Sequence, residues 1–147
     1  MNISIVPMSS DHLDQIYQIE CRAHLFPWKA SIIRDLDSRG ACHHTLLIDG
    51  RVAGYFYAQN IVGEVTLLNI AIDPAHQGKG LGRQLLDFLL AFCEQHDAES
   101  VWLEVRASNL PAYHLYLNAG FNDVDRRFGY YPAENGREDA IIMSYFL

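Results

Sequence analysis

Long apolar runs are missing from this chain. None of its 147 residues fall in a stretch long enough and apolar enough to span a bilayer as a helix. The opening residues, Met1-Asn2-Ile3-Ser4-Ile5-Val6-Pro7, carry no basic group and no extended apolar core, so a signal peptide is not expected. Cysteine is scarce: Cys21, Cys42 and Cys93 are odd in number, far apart and never arranged as C-x-x-C. That spacing suggests neither a disulfide framework nor a zinc site, and free, mostly buried thiols in a reducing compartment are expected. Positive charge is in deficit, with 11 Lys and Arg against 18 Asp and Glu and a net charge of −7. A nucleic-acid ligand would demand a basic face. An acidic chain suits a basic protein or peptide partner, although many soluble proteins are simply acidic. Seven histidines are present, but no H-E-x-x-H and no acidic pair at ligand spacing. His43 and His44 are adjacent and would face opposite sides of a strand, so no metal site is expected. Repeats, low-complexity tracts and linkers are also lacking. What remains is half hydrophobic and one-fifth charged, the composition of one cytoplasmic globular domain over residues 1–147.

Periodicity supplies the elements. Ile3 to Met8 reads as a strand, and Ser9-Ser10-Asp11 caps a helix to about His24 with Leu13, Ile16 and Tyr17 on one face. Phe26-Pro27-Trp28 breaks it, and a second helix is predicted from Ala30 to Asp37. Thr45 to Ile48 and Arg51 to Gln59 flank Asp49-Gly50, a two-residue hairpin turn. Glu64 to Ile72 is nearly continuous in apolar character toward its end, which predicts a strand covered on both faces. Leu81, Leu85, Phe88, Leu89 and Phe92 mark a helix from about Gly80 to His96. Val101 to Arg106 is a strand, and Asn109 caps a helix that ends at Gly120. Phe121 to Arg127 and Ala140 to Phe146 are two last strands, joined by a polar loop containing Tyr130-Tyr131-Pro132. The order predicts a mixed α/β sheet.

Between the fourth strand and its helix lies Gln77-Gly78-Lys79-Gly80-Leu81-Gly82. A strand, a glycine loop and a helix start present several backbone N–H groups to one anion, and glycine admits close approach by phosphates. A P-loop would need Ser or Thr after Lys79, and a dinucleotide fold would need G-x-G-x-x-G after an early strand. Neither is present. A tight turn without a ligand is the bland alternative.

The Gln77-x-x-Gly80-x-Gly82 pattern, in this element order, resembles the pyrophosphate loop of the GNAT acetyltransferase family. Three longer segments sharpen the likeness: Arg22-Ala23-His24-x-Phe26-Pro27-Trp28, Trp102 to Asn109, and Gly136 to Met143. They are similar to the branch of that family that acetylates the N-terminal alanine of a small-subunit ribosomal protein. The resemblance implies a GNAT-like mixed, mostly antiparallel sheet flanked by about four helices, with acetyl-CoA as co-substrate and no metal. It implies that backbone groups of Ile70 and Ile72 pair with the pantetheine arm, that Ala71 between them belongs to the cofactor-binding residues, and that N–H groups of Gln77, Gly78, Lys79, Gly80, Leu81 and Gly82 surround the pyrophosphate. Asn109 would touch the cofactor, cap its helix, or do both.

Acetyl transfer to an amine needs a base for the ammonium and an acid for the leaving thiolate. Glu104 shares one strand face with Trp102 and Arg106. From composition alone, a base and a salt bridge to an arginine are equally good readings; the family's base matches this position. Tyr113 and Tyr116 share a helix face. Packing is the usual fate of such residues, but the family's acid matches Tyr116, and Tyr113 is left to packing. The Ile72 N–H is the oxyanion donor that the resemblance implies. Phe26, Trp28, Tyr130 and Tyr131 are candidates for a peptide groove, with Trp28 inclined toward packing, and Glu138 and Asp139 could meet a basic peptide. The alternatives are a GNAT enzyme acting on lysine or small amines and a non-catalytic CoA-binding sensor. A pure binder would need neither Glu104 nor Tyr116.

Overall fold

Seven strands form one sheet in the order β1-β2-β3-β4-β5-β7-β6. The computed structural model describes residues 1–147. The strands are β1 (Ile3–Pro7), β2 (His44–Ile48), β3 (Arg51–Ile61), β4 (Glu64–Ile72), β5 (Ser100–Arg106), β6 (Asn122–Ala133) and β7 (Gly136–Phe146). The helices are α1 (Leu13–Ala23), α2 (Ala30–Ile33), α3 (Leu81–Gln95) and α4 (Leu110–Ala119). Every neighbouring pair is antiparallel except β4 and β5. The expected mixed, mostly antiparallel architecture with four helices is therefore present. No helix is long and apolar enough to cross a membrane.

Two apolar layers clasp the sheet. Leu81, Leu85, Leu86 and Leu89 of α3 pack with Ala53, Phe56 and Ala58 of β3 in one cluster. Leu13, Ile16 and Ile19 of α1 pack with Val52, Tyr55 and Tyr57 in the other. Strict alternation would set Val52 and Tyr55 on opposite faces. They share one because Leu46 pairs with Gly54 and Leu47 with Val52, leaving Ala53 as an extra residue. The strand buried on both faces is thus β3, continuously from Val52 to Ala58. The β4 strand, for which that burial was expected, is half open, with Leu68 41% exposed.

Three further expectations differ. The α2 helix stops at Ile33 rather than Asp37. Asp35 accepts the N–H of Asp37 at 3.0 Å, a local bond that competes with helical pairing. Residues 128–139 form the far part of a long β6–β7 hairpin instead of a loop, with Ala133 opposite Gly136. Cys21 is exposed, whereas Cys93 is buried and its thiol is pushed up to about 12 by that burial. His43 and His44 do point to opposite faces: one ring meets Tyr57 and the other sits among Phe56, Phe88 and Phe92.

Candidate active site

The parallel pairing of β4 with β5 lasts only from Glu64–Ser100 to Leu67–Leu103. At that point β4 bulges. Tyr57 pairs with Asn69 and Ala58 with Leu67, so Leu68 has no partner on β3. A bulge bends its strand, and beyond it Leu68 to Ile72 and Glu104 to Arg106 are no longer paired across the gap. The wedge opens into a cavity of about 1010 Å³ lined by both strand segments. One wall is an unpaired strand edge, able to take an extended ligand as a further strand.

The glycine loop closes one end. Gly78, Gly80 and Gly82 all line the cavity, with Gln77 and Leu81. Gly78 has φ +79 and Gly80 φ +77, and a Cβ on either would meet nothing within 4 Å. Their left-handed backbone suits glycine, and the space beside it is open. Gly80 is the N-cap of α3, so free N–H groups and the positive end of the helix dipole face the cavity. The Gln77 side chain donates to the Ile72 carbonyl at 3.1 Å and ties the loop to the end of β4. Asp73 accepts from Ala75 and from Arg22, which ties it to α1. These residues fit a pyrophosphate-bearing ligand. Gly80→Val is expected to weaken acetyl-CoA binding at least about tenfold, because a β-branched side chain resists this backbone and fills the approach. Calorimetric titration checks it, and unchanged affinity would remove the loop from the cofactor site.

Glu104 and Tyr116 line the same cavity. The Glu104 side chain is 32% exposed, and its nearest cation is Arg127, with Nε 4.0 Å from Oε2. A long, solvent-exposed pair of this kind is weak, so the carboxylate stays available. Arg106, the other candidate partner, is occupied elsewhere: it donates to the Pro132 carbonyl at 2.7 Å. Tyr116 is 6% exposed. Burial, and after it the Tyr131 hydroxyl, raise its phenol above the ordinary tyrosine value. Tyr131 is itself pushed up to about 12, by burial first and then by Glu104. Tyr113 instead donates to Asp123 at 2.7 Å.

Among the remaining predicted residues, Ile70, Ala71, Ile72, Asn109, Phe26, Trp28 and Tyr131 line the cavity. Asn109 also caps α4, accepting the Ala112 N–H at 3.3 Å. Trp28 both faces the cavity and packs its edge on Tyr57 at 5.2 Å. Lys79 is not on the lining. Nor is Tyr130, which precedes Tyr131 on β6 and lies under the Arg127 guanidinium, 5.3 Å from ring centroid to Cζ.

A buried network was missed from the sequence. Glu20 is 1% exposed. Its Oε1 accepts from the Tyr55 hydroxyl at 2.6 Å and from Asn69 Nδ2 at 2.8 Å. Its Oε2 accepts the Trp28 N–H at 2.9 Å. His24 Nε2 lies 3.0 Å from Asn69 Oδ1. The network fixes the segment after α1 against β4. The signal was a carboxylate on the buried stripe of an amphipathic helix, seven residues after Leu13. Glu20→Ala would strand the buried Tyr55 hydroxyl and two part-buried donors and is expected to cost about 3 kcal/mol of stability. Urea unfolding measures this, and a loss near zero would show that the network does not hold the loop.

Comparison with known proteins agrees with this geometry. The acetyltransferase (GNAT) family matches residues 13–121. The chain is 41% identical to the ribosomal protein bS18-alanine N-acetyltransferase of Escherichia coli, over 96% of this chain and 95% of the relative. It is 42% identical to the Salmonella typhimurium enzyme of that name, over 93% of each. The crystal structure of the Escherichia coli ribosomal-protein-S18-alanine N-acetyltransferase superimposes with a TM-score of 0.94 at 40% identity, covering 99% of this chain and 94% of that one. The splayed strands, the glycine loop at the start of α3 and these likenesses together show that the chain belongs to the acetyltransferase (GNAT) family.

Proposed function

We propose that this protein is a cytoplasmic enzyme that moves acetyl from acetyl-CoA directly to the α-amine of a protein N-terminus, and that its target is the N-terminal alanine of small-subunit ribosomal protein bS18. The substrate reading rests on the relatives named for that reaction and on their identity over nearly the whole chain. The observation that carries the chemistry is the single cavity shared by the glycine loop, the open edge of β4, Glu104 and Tyr116.

Acetyl-CoA, when bound, supplies an acetyl group activated as a thioester. Backbone groups of Ile70 and Ile72 hold its extended arm as an added strand, with Ala71 between them, and the N–H groups from Gln77 to Gly82 hold its phosphates. Asn109 contacts it while capping α4. An N-terminal ammonium has a pKa of about 7.7–8.0, so much of it is protonated near neutrality. Glu104 takes that proton, directly or through a water, and leaves the amine free to attack. The Ile72 N–H faces the charge that develops on the carbonyl oxygen. Tyr116, kept protonated by burial, gives its proton to the departing thiolate and regains one as the amide nitrogen sheds its second proton. Phe26, Trp28 and Tyr131 line the peptide's path, and Tyr130 lies beside it.

A matched pair of peptides tests the reading. One begins with a free alanine; the other has the same sequence, a blocked N-terminus and an internal lysine. Acetylation of the first alone is expected. Acetylation of the second would move the enzyme to lysine side chains, and binding of CoA without either product would make it a sensor.

A further inference from the structure

The Arg106 guanidinium lies between two aromatic rings. Its Cζ is 4.7 Å from the Phe26 centroid and 4.4 Å from the Tyr131 centroid. Phe26 belongs to the segment between α1 and α2, and Tyr131 belongs to β6. One cation therefore joins two walls that are far apart in sequence, and its bond to the Pro132 carbonyl at 2.7 Å fixes it to the hairpin. The nearby carboxylates do not claim it. Glu104 faces Arg127, and Glu138 accepts the Ser108 hydroxyl at 2.9 and 3.0 Å.

The position of this stack matters. A second cavity of about 590 Å³ lies outside the first, toward the turn of the β6–β7 hairpin. The two share Ala23, His24, Phe26, Arg106 and Asn109. The stack stands at their junction, two residues along β5 from Glu104. A peptide whose amine reaches Glu104 from the hairpin side must pass it.

We propose that Arg106 is the specificity-determining residue of this passage: by clamping Phe26 to Tyr131 it restricts entry to N-termini with a small first side chain. The inference rests on the N-terminal acetyltransferase reading above. A planar guanidinium offers a face to each ring at once, which an ammonium does not. A bulky first residue has to push one ring aside and break the stack. A methyl group asks for the least displacement.

The test is the ratio of kcat/KM for alanine-initiated over leucine-initiated peptides of otherwise identical sequence. Arg106→Met, which keeps the stem and loses the plane, is expected to lower the ratio about tenfold. Arg106→Lys is expected to do the same, since charge without a plane cannot hold both rings. Phe26→Leu, at a 39% exposed position, opens the clamp from the other side and carries the test if the Arg106 variants do not fold. An unchanged ratio in a folded Arg106→Met or Phe26→Leu protein overturns the clamp, as does full selectivity in Arg106→Lys. Absence of any α-amine acetylation by the unaltered protein overturns the underlying reading, and the clamp with it.

Discussion

Glu104→Gln is expected to lower kcat by about 10²–10⁴-fold, the usual loss when a general base is removed. Glutamine keeps the shape and the polarity of the side chain but cannot accept the ammonium proton. The structure places no strong demand on this carboxylate that would give it a different purpose. Its one ion pair is 4.0 Å long, and the arginine side chain of that pair is 54% exposed. Steady-state kinetics with an alanine-initiated peptide checks the loss. The deficit should narrow as pH rises past about 8, where the amine loses its proton unaided. Unchanged turnover above and below neutral pH would take Glu104 out of the mechanism and leave it as a partner of Arg127.

Tyr116→Phe is expected to lower kcat by a similar factor, about 10²–10⁴-fold, with little change in acetyl-CoA affinity. Only a hydroxyl is lost, so the ring still packs against Phe121 at 5.9 Å between centroids. Burial shifts the phenol upward, and an upward shift on an acid means the protonated form persists to higher pH. The profile of kcat/KM, which reports ionisations of the free enzyme, should therefore show no falling limb from this residue between about pH 8 and pH 10, where an ordinary tyrosine begins to ionise. A falling limb there, or a Tyr116→Phe protein that turns over normally, would make Tyr116 a packing residue.

The parts of the fold that were legible are those held by local rules. Asp49-Gly50 announces the β2–β3 turn, and both residues take positive φ, 50 and 82 degrees. Alternate glycines followed by a leucine stripe announce the loop and α3. Gly120, with φ +107, marks the end of α4. The far end of the β6–β7 hairpin was not legible because side-chain bonds across the hairpin hold it. Arg127 pairs with Ala140 and Tyr131 with Glu138, so residues 128–130 face a single residue of β7. Such a bulge breaks the alternation by which a strand is recognised. It is held by Arg137, which donates to the carbonyls of Gly129 and Tyr130 at 2.7 and 3.1 Å, and by Asp139, which accepts the Gly129 N–H.

The site divides in the same way. The glycine loop is contiguous in sequence and could be read there directly. Glu104 and Tyr116 were singled out by resemblance, since a lone carboxylate on a strand and a helical tyrosine have commoner uses. The Glu20 network and the Arg106 clamp each join residues more than twenty positions apart, and no local pattern records such pairings. The cavity itself depends on a one-residue bulge at Leu68, which leaves no sign in an apolar run.

The most direct measurement is mass spectrometry of intact ribosomal protein bS18 after incubation with acetyl-CoA and this protein, with the acetylated position located by fragmentation. The account predicts one acetyl group, on the α-amine of the N-terminal alanine, and at most a trace when Glu104→Gln replaces the enzyme over the interval in which the unaltered protein just completes the reaction. Acetyl groups on lysine side chains, or an unmodified N-terminus under conditions where acetyl-CoA binds, would contradict it.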